Sequence, residues 1–180
     1  MHPKEFKKVK NNTGHFTHKS LPNSELFMGI DFSNHKRINE IIATYESYIL
    51  FPSVNAINLT TTNPQTDKKP LAIFLIDSTW ACTKKMFTLS SNLNKLQHMS
   101  FTTARTSAYE IKVQPDDAYL STIESTLVVL EALHTHKIEK IEKVQLENFL
   151  NPFLEMIKYQ KELINNPQSH AVRFKRHAPK

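Results

Sequence analysis

Apolar positions along the chain fall into short continuous runs and helix-spaced stripes, separated by polar segments. The strongest run, Leu71-Ala72-Ile73-Phe74-Leu75-Ile76, has the length of a buried strand and precedes a helical-looking segment from Trp80 to Leu96. Tyr48-Ile49-Leu50-Phe51 predicts another strand, stopped by Pro52. Shorter strands are expected at Leu26 to Phe32 and at Met99 to Thr103. His35 to Tyr45 predicts a helix with Ile38, Ile41 and Ile42 on one face. Ser121-Thr122-Ile123-Glu124 has the spacing of a capping box and opens a helix that buries Ile123, Leu127, Leu130 and Leu133. His136 to Asn166 reads as mostly helical, with a restart at Asn151-Pro152: Asn as N-cap and Pro at the first helical position. The first twenty residues read as loop, with a turn at Asn11-Asn12-Thr13-Gly14, and Asn55 to Pro70 and Thr106 to Ala118 read as polar connections. Strands alternating with helices define an α/β class.

This pattern places Asp77-Ser78-Thr79-Trp80 where a buried strand stops and a helix starts. An acid, two hydroxyls and the chain's one tryptophan therefore stand at the carboxyl end of a strand, where open α/β sheets form ligand crevices. The same residue types also read as a helix N-cap cluster.

Composition narrows the chemistry. The chain has 180 residues and a formal net charge of +6, enough for one domain with a core and a charge suited to a polyanionic partner. No apolar run approaches membrane-spanning length, and the start of the chain has no signal-peptide core. A membrane location is therefore not expected. The single cysteine, Cys82, allows neither an intrachain disulfide nor a cysteine zinc cluster, so no metal and a reducing, cytoplasmic setting are expected. Gly14 and Gly29 are the only glycines, which excludes a G-x-G-x-x-G fingerprint and a P-loop. Any nucleotide-like cofactor is held without a glycine phosphate cradle.

Five further segments stand in order around Asp77-x-Thr79-Trp80. They are His2-Pro3-x-Glu5, Asn12-Thr13-Gly14-His15, Leu50-Phe51-Pro52 with Ala56 and Leu59, Ser107-Ala108-Tyr109-Glu110-Ile111-Lys112 with Pro115, and Leu120-Ser121-Thr122-Ile123-Glu124. This series resembles the DTW-domain family over almost the whole chain. The resemblance implies a tRNA-uridine aminocarboxypropyltransferase, with S-adenosyl-L-methionine as donor, a uridine ring imide nitrogen in tRNA as acceptor and methylthioadenosine as by-product. It also implies a SPOUT-like sheet flanked by helices, knotted at a cofactor pocket built from loops, over a domain of residues 1–166 with residues 167–180 as a basic tail. Measured against relatives that carry an amino-terminal zinc-binding cysteine cluster and a strand before the His-Pro motif, this chain is expected to lack both and to be a truncated form. A missing strand would leave an unpaired sheet edge.

Roles follow from the resemblance and the reaction. Asp77 is the candidate catalytic residue, since the uracil imide carries a proton at neutral pH and a carboxylate beside it can accept that proton. The cofactor is expected at three loops: Phe51, Pro52 and Ser53; Leu75, Ile76, Thr79 and Trp80; and Leu120, Ser121 and Thr122. Trp80 reads either as a wall for the methionine moiety, through a cation–π contact, or as a core aromatic. Ser121 and Glu124 are already explained as a capping box, and the resemblance also implies that they border the cofactor site, where a helix N-terminus suits the ligand carboxylate. Substrate contacts are expected from His2, Glu5, Asn12, Ser107, Tyr109 and Lys112, where Lys112 stands at a place usually held by arginine. The starting lysines Lys4, Lys7, Lys8 and Lys10 and the basic tail residues Arg173, Lys175 and Arg176 are expected on tRNA phosphates, the tail against the reading of a solvated tail. An RNA methyltransferase using the same donor and a non-catalytic RNA-binding protein are the alternatives.

Overall fold

The computed structural model describes residues 1–8, 12–64, 69–111 and 119–166, except for the side chains of Lys8 and Trp80. Four strands form one sheet among these residues: β1 (Glu46–Leu50), β2 (Ile57–Asn58), β3 (Leu71–Leu75) and β4 (Gln97–Ser100). Their order is β2-β4-β1-β3, and every pairing is parallel, with Glu46 opposite Leu71 and Ile49 opposite His98. A parallel sheet needs both faces covered, and alternation along the strands supplies two apolar faces. Tyr48, Leu71, Ile73 and Met99 point to one side and Ile49 and Phe74 to the other.

The first face is covered by α6 (Thr122–Thr135), whose Val129, Ala132 and Leu133 meet Tyr48, Leu59 and Met99. The other side of α6 presents Ile123 and Leu127 to Phe153, Met156 and Ile157 of α8 (Asn151–Asn165). The second face is covered by α3 (Lys36–Thr44), α4 (Trp80–Leu89) and α5 (Ser91–Asn94), where Ile38, Met86 and Leu93 pack with Phe32 and Ile49. A short helix α7 (Lys143–Asn148) joins α6 to α8. No helix among the described residues is long and apolar enough to cross a membrane.

Several expectations need correction. The first twenty residues are not loop: they contain α1 (Pro3–Lys8) and α2 (Thr13–Ser20), and Asn12 is the N-cap of α2 rather than part of a turn. Leu26 to Phe32 forms no strand. Its backbone groups are taken up by Met1 (Met1 N to Phe27 O, 2.7 Å; Gly29 N to Met1 O, 3.2 Å) and by the Ser90 hydroxyl, which accepts from Phe32 N at 3.0 Å. That fully buried serine also breaks the helix expected from Trp80 to Leu96 into α4 and α5. The strand expected at Met99 to Thr103 starts two residues earlier and stops at Ser100, and β2 arises inside the stretch read as polar connection. In α8 Asn151 is already helical, Leu150 is the N-cap, and residues 136–142 are not helical.

The end of α6 shows why the helix stops. Lys137 N donates to His134 O at 3.0 Å and Ile138 N to Leu133 O at 2.9 Å, while Ile138 packs on the cluster containing Leu133. This is a Schellman stop, with Lys137 at φ 59° in the position that favours glycine. Lys137→Gly is expected to raise stability by roughly 0.5–1 kcal/mol, because the left-handed conformation penalises a side chain more than glycine's entropy penalises folding. A higher denaturant midpoint with unchanged slope checks this.

Candidate functional site

All four strands run in one direction, so the segments after β1, β3 and β4 leave the same edge of the sheet. Asp77 stands two residues past the end of β3, on the α6 side by the alternation that carries Leu71 and Ile73 there. It is 9% exposed. Its Oδ1 accepts from the Thr122 hydroxyl at 2.8 Å, at the first turn of α6, and its main-chain oxygen accepts from His2 N at 3.0 Å. Its Oδ2 is buried without a hydrogen-bonding partner among the described residues. Gly14 closes that side: a Cβ there would stand 2.7 Å from Asp77 Oδ2 and 2.7 Å from the Met1 methyl. The Asn12 side chain accepts from Gly14 N at 2.7 Å and so fixes the start of α2 against Asp77.

Asp77 does not cap the helix that follows it. Thr79 is the N-cap of α4 and makes no side-chain cap bond. Ser78 bonds the Thr83 hydroxyl at 2.6 Å, and Thr83 in turn donates to Thr79 O. The carboxylate reaches across to α6 instead, so the N-cap reading does not account for it.

A second carboxylate organises the neighbouring loop. Glu124 closes the capping box with Ser121, accepting from Ser121 N at 2.8 Å and from its hydroxyl at 2.5 Å. The same carboxylate accepts from the Ser107 hydroxyl at 2.8 Å and from Ala108 N at 2.7 Å. Glu124 is buried, and these bonds tie residues 107–109 to the start of α6. Tyr109 follows, its N–H on the Ser107 hydroxyl at 3.1 Å and its ring edge-on to Phe153 at 5.3 Å. Burial pushes the Tyr109 phenol above its ordinary value, and the negative charges of Asp77, Glu5 and Glu124 push it further. Those three acids therefore face one phenol within a chain of positive net charge. The Met1 ammonium is lowered by burial, with Asp77 opposing the shift.

The structure thus brings Asp77, Thr122, Ser121, Ser107, Tyr109, Glu5 and the His2 backbone into one region. The His2 ring accepts from Lys4 N at 3.2 Å and is buried, so it braces α1. Phe51, Pro52 and Ser53 leave the same sheet edge, but the Phe51 ring lies on the opposite face, against Phe87 at 4.8 Å and His98 at 5.8 Å. Ser53 bonds His98 at 2.9 Å. Leu75, Ile76 and Leu120 are half-buried and Thr79 is exposed. Trp80 opens α4, and its side chain lies outside the described residues, as do Lys112, Arg173, Lys175 and Arg176. A cleft of about 260 Å³ lies elsewhere, toward the far end of α6, lined by Thr60, Thr102, Arg105, Glu131 and His136 among others. It contains none of the residues expected from sequence.

Two contacts at this site are not carried by the sequence pattern. Gly14 reads as a turn signal and as part of the Asn12-Thr13-Gly14-His15 segment, but its contact with Asp77 is invisible to spacing. Glu124 was sufficiently explained by its local box, although its separation from Ser107 is 17 residues.

The structure defines the class as an α/β domain with a parallel sheet, and its polar cluster stands at the carboxyl edge, where such sheets form ligand crevices. Residues 1–161 match the DTW domain family, and the chain belongs to it. Curated proteins named "tRNA-uridine aminocarboxypropyltransferase 2" are similar to it in part. The one from Drosophila melanogaster is 26% identical over 61% of this chain, and those from Macaca fascicularis and Mus musculus are 31% and 32% identical over 62%. The matched stretches make up 44%, 36% and 36% of those relatives' own lengths. No solved structure matches the chain.

Two outcomes test this geometry. Gly14→Ala should cost about 1–3 kcal/mol, because the new methyl collides with a buried carboxylate and a buried methionine; chemical denaturation reads it directly. Asp77→Asn should lower the Tyr109 pKa toward its ordinary value of about 10 without reaching it, since burial remains. Spectrophotometric titration against Tyr109→Phe isolates the signal. A phenol with a raised folded pKa stabilises the fold fully below about pH 10 and loses that contribution as pH rises through the folded value.

Proposed function

We propose that this chain modifies a uridine of tRNA, transferring the 3-amino-3-carboxypropyl group of S-adenosyl-L-methionine to the ring imide nitrogen. The observation that carries the reading is the unpaired, buried Oδ2 of Asp77, at the carboxyl edge of a parallel sheet and among family motif residues. An unpaired buried carboxylate oxygen costs about 1–3 kcal/mol or more, and a catalytic role is among the explanations for an unsatisfied buried polar group in a native fold.

The residues present fit such a donor. S-adenosyl-L-methionine, when bound, brings positive charge and supplies an electrophilic aminocarboxypropyl carbon with a thioether leaving group. Asp77, Glu5 and Glu124 give this edge a negative character around Tyr109, suited to a cationic ligand. Leu75, Ile76, Thr79, Trp80, Leu120, Ser121 and Thr122 border that edge and would hold the donor, with Pro52 and Ser53 on its far side. Thr122 keeps Asp77 Oδ1 occupied, which leaves Oδ2 to accept the imide proton. Ser107 and Tyr109, held by Glu124, orient the acceptor ring. Orientation is the main task, because the donor already carries a good leaving group.

One observation favours the second reading, an RNA-binding protein without catalysis: Oδ2 is buried and Gly14 packs against it, so that oxygen reaches a substrate only if a neighbouring group moves. One experiment separates the readings. The chain is incubated with tRNA and S-adenosyl-L-methionine, and both nucleosides and small products are analysed by mass spectrometry. Methylthioadenosine with an aminocarboxypropylated uridine is expected. S-adenosylhomocysteine would indicate methyl transfer, and tRNA binding with neither product would establish the non-catalytic reading. Asp77→Asn should keep the fold and most donor affinity while lowering transfer by roughly 10²–10⁴-fold, the usual contribution of a positioned base.

A further inference from the structure

The amino-terminal helices carry an outward feature that the reaction does not use. Phe6 of α1 is 38% exposed, and its ring lies 5.1 Å from that of His15 on α2, tilted by 51°. A single exposed aromatic needs no explanation. Here, however, two rings from two helices meet at the surface, in a lysine-rich part of the chain. Lys4, Lys7 and Lys19 are exposed, and Lys19 stands four residues from His15, on the same face of α2. Across residues 1–20 five lysines (4, 7, 8, 10 and 19) face one acid, Glu5, which the site's electrostatics place beside Tyr109.

Position adds the link to the active edge. His2, whose N–H bonds Asp77 O, precedes Phe6 by four residues, about one helical turn. His15 directly follows Gly14, which packs on Asp77 Oδ2.

We propose that Phe6 and His15 form a stacking platform for an unpaired base of the RNA substrate, with Lys4, Lys7 and Lys19 on the adjoining phosphates. The proposal rests on the RNA-substrate reading above and adds where the strand lies: over α1 and α2, next to the carboxylate edge. Single-stranded RNA is the occupant that uses both components. Unpaired bases stack on aromatic and histidine rings, whereas bases inside an A-form duplex offer no free face. An acidic peptide would engage the lysines and leave the rings without a partner.

The test is binding of the full chain to a short unstructured RNA oligonucleotide and to an abasic oligonucleotide of equal length, each across a range of salt. The wild-type chain is expected to prefer the base-bearing strand. Phe6→Ala should weaken that binding by roughly 5- to 150-fold, the effect of losing one stacked base, with the salt slope unchanged and abasic binding little affected. Phe6→Leu, which keeps apolar packing on α1 but removes the aromatic face, should show a similar loss, whereas Phe6→Tyr should retain affinity. Lys4→Ala with Lys7→Ala should reduce the salt slope for both strands alike. Wild-type affinity in both Phe6→Ala and Phe6→Leu overturns the platform, as does an equal loss on the base-bearing and abasic strands. Polyglutamate binding as tight as the RNA would overturn it in favour of an acidic peptide. A wild-type chain that binds neither strand overturns the platform together with the RNA reading beneath it, whereas binding without transfer chemistry leaves the platform standing.

Discussion

The end of β3 at Asp77 is the joint on which the site depends. Its main-chain oxygen takes the His2 N–H, its Oδ1 takes the Thr122 hydroxyl, and its Oδ2 lies against Gly14. Three helix starts far from Asp77 in sequence are thereby pinned to one strand end: those of α1, α2 and α6. The two hydrogen bonds are each worth only about 0.5–1.5 kcal/mol net, more where the acceptor is charged, and the Gly14 contact is packing alone. Their combined effect is geometric. They set where the amino-terminal helices cross the sheet edge, and they do so while one carboxylate oxygen stays unpaired. A fold optimised for stability alone would satisfy that oxygen or replace the group. Its retention at the carboxyl edge of a parallel sheet is a local violation of the kind that functional sites carry.

Glu124 plays the complementary part. A capping box is a local device: it satisfies backbone donors at a helix start and is fully described by residues three apart. The Glu124 carboxylate has more acceptor capacity than the box uses, and the remainder holds Ser107 and Ala108. One buried acid therefore starts α6 and clamps the loop that presents Tyr109. Thr122, in the same first turn, holds Asp77. The first turn of α6 thus connects both carboxylates, and a shift of that helix start moves both sides of the site together.

What was legible in the sequence follows from what burial demands. β1 and β3 are covered on both faces, and β3 reads as an unbroken apolar run while β1 does so from Tyr48 to Leu50. α3 and α6 show stripes of Ile, Leu and Val. α2 buries Thr13, Gly14 and Thr17 instead, small or polar residues that carry no hydrophobic period, and α1 holds a single large apolar residue, Phe6. Both helices were therefore invisible to periodicity and read as loop. Ser90 ends α4 because its hydroxyl serves Phe32 N, 58 residues away, which no local window reveals. The same division holds at the site. Asp77, Ser107, Tyr109, Ser121 and Thr122 could be singled out by their order along the chain, whereas the role of Gly14 and the second duty of Glu124 exist only in three dimensions.

The small residues of α2 explain how the amino-terminal helices come so close to the carboxylate. Gly14 leaves no room for a side chain between the helix and Asp77, and Asn12 turns its oxygen back to cap Gly14 N rather than outward. Close approach on the α6 side of the sheet therefore puts α1 and α2 beside Asp77, while Phe51 and His98 occupy the opposite face. A ligand touching both Asp77 and Ser53 must straddle the carboxyl edge of the sheet, with the amino-terminal helices as its wall on one side only. The surface left open beyond that wall is the outward face of α1 and α2, where the lysines gather. The packing that fixes the carboxylate also fixes which side of it the amino-terminal helices cover.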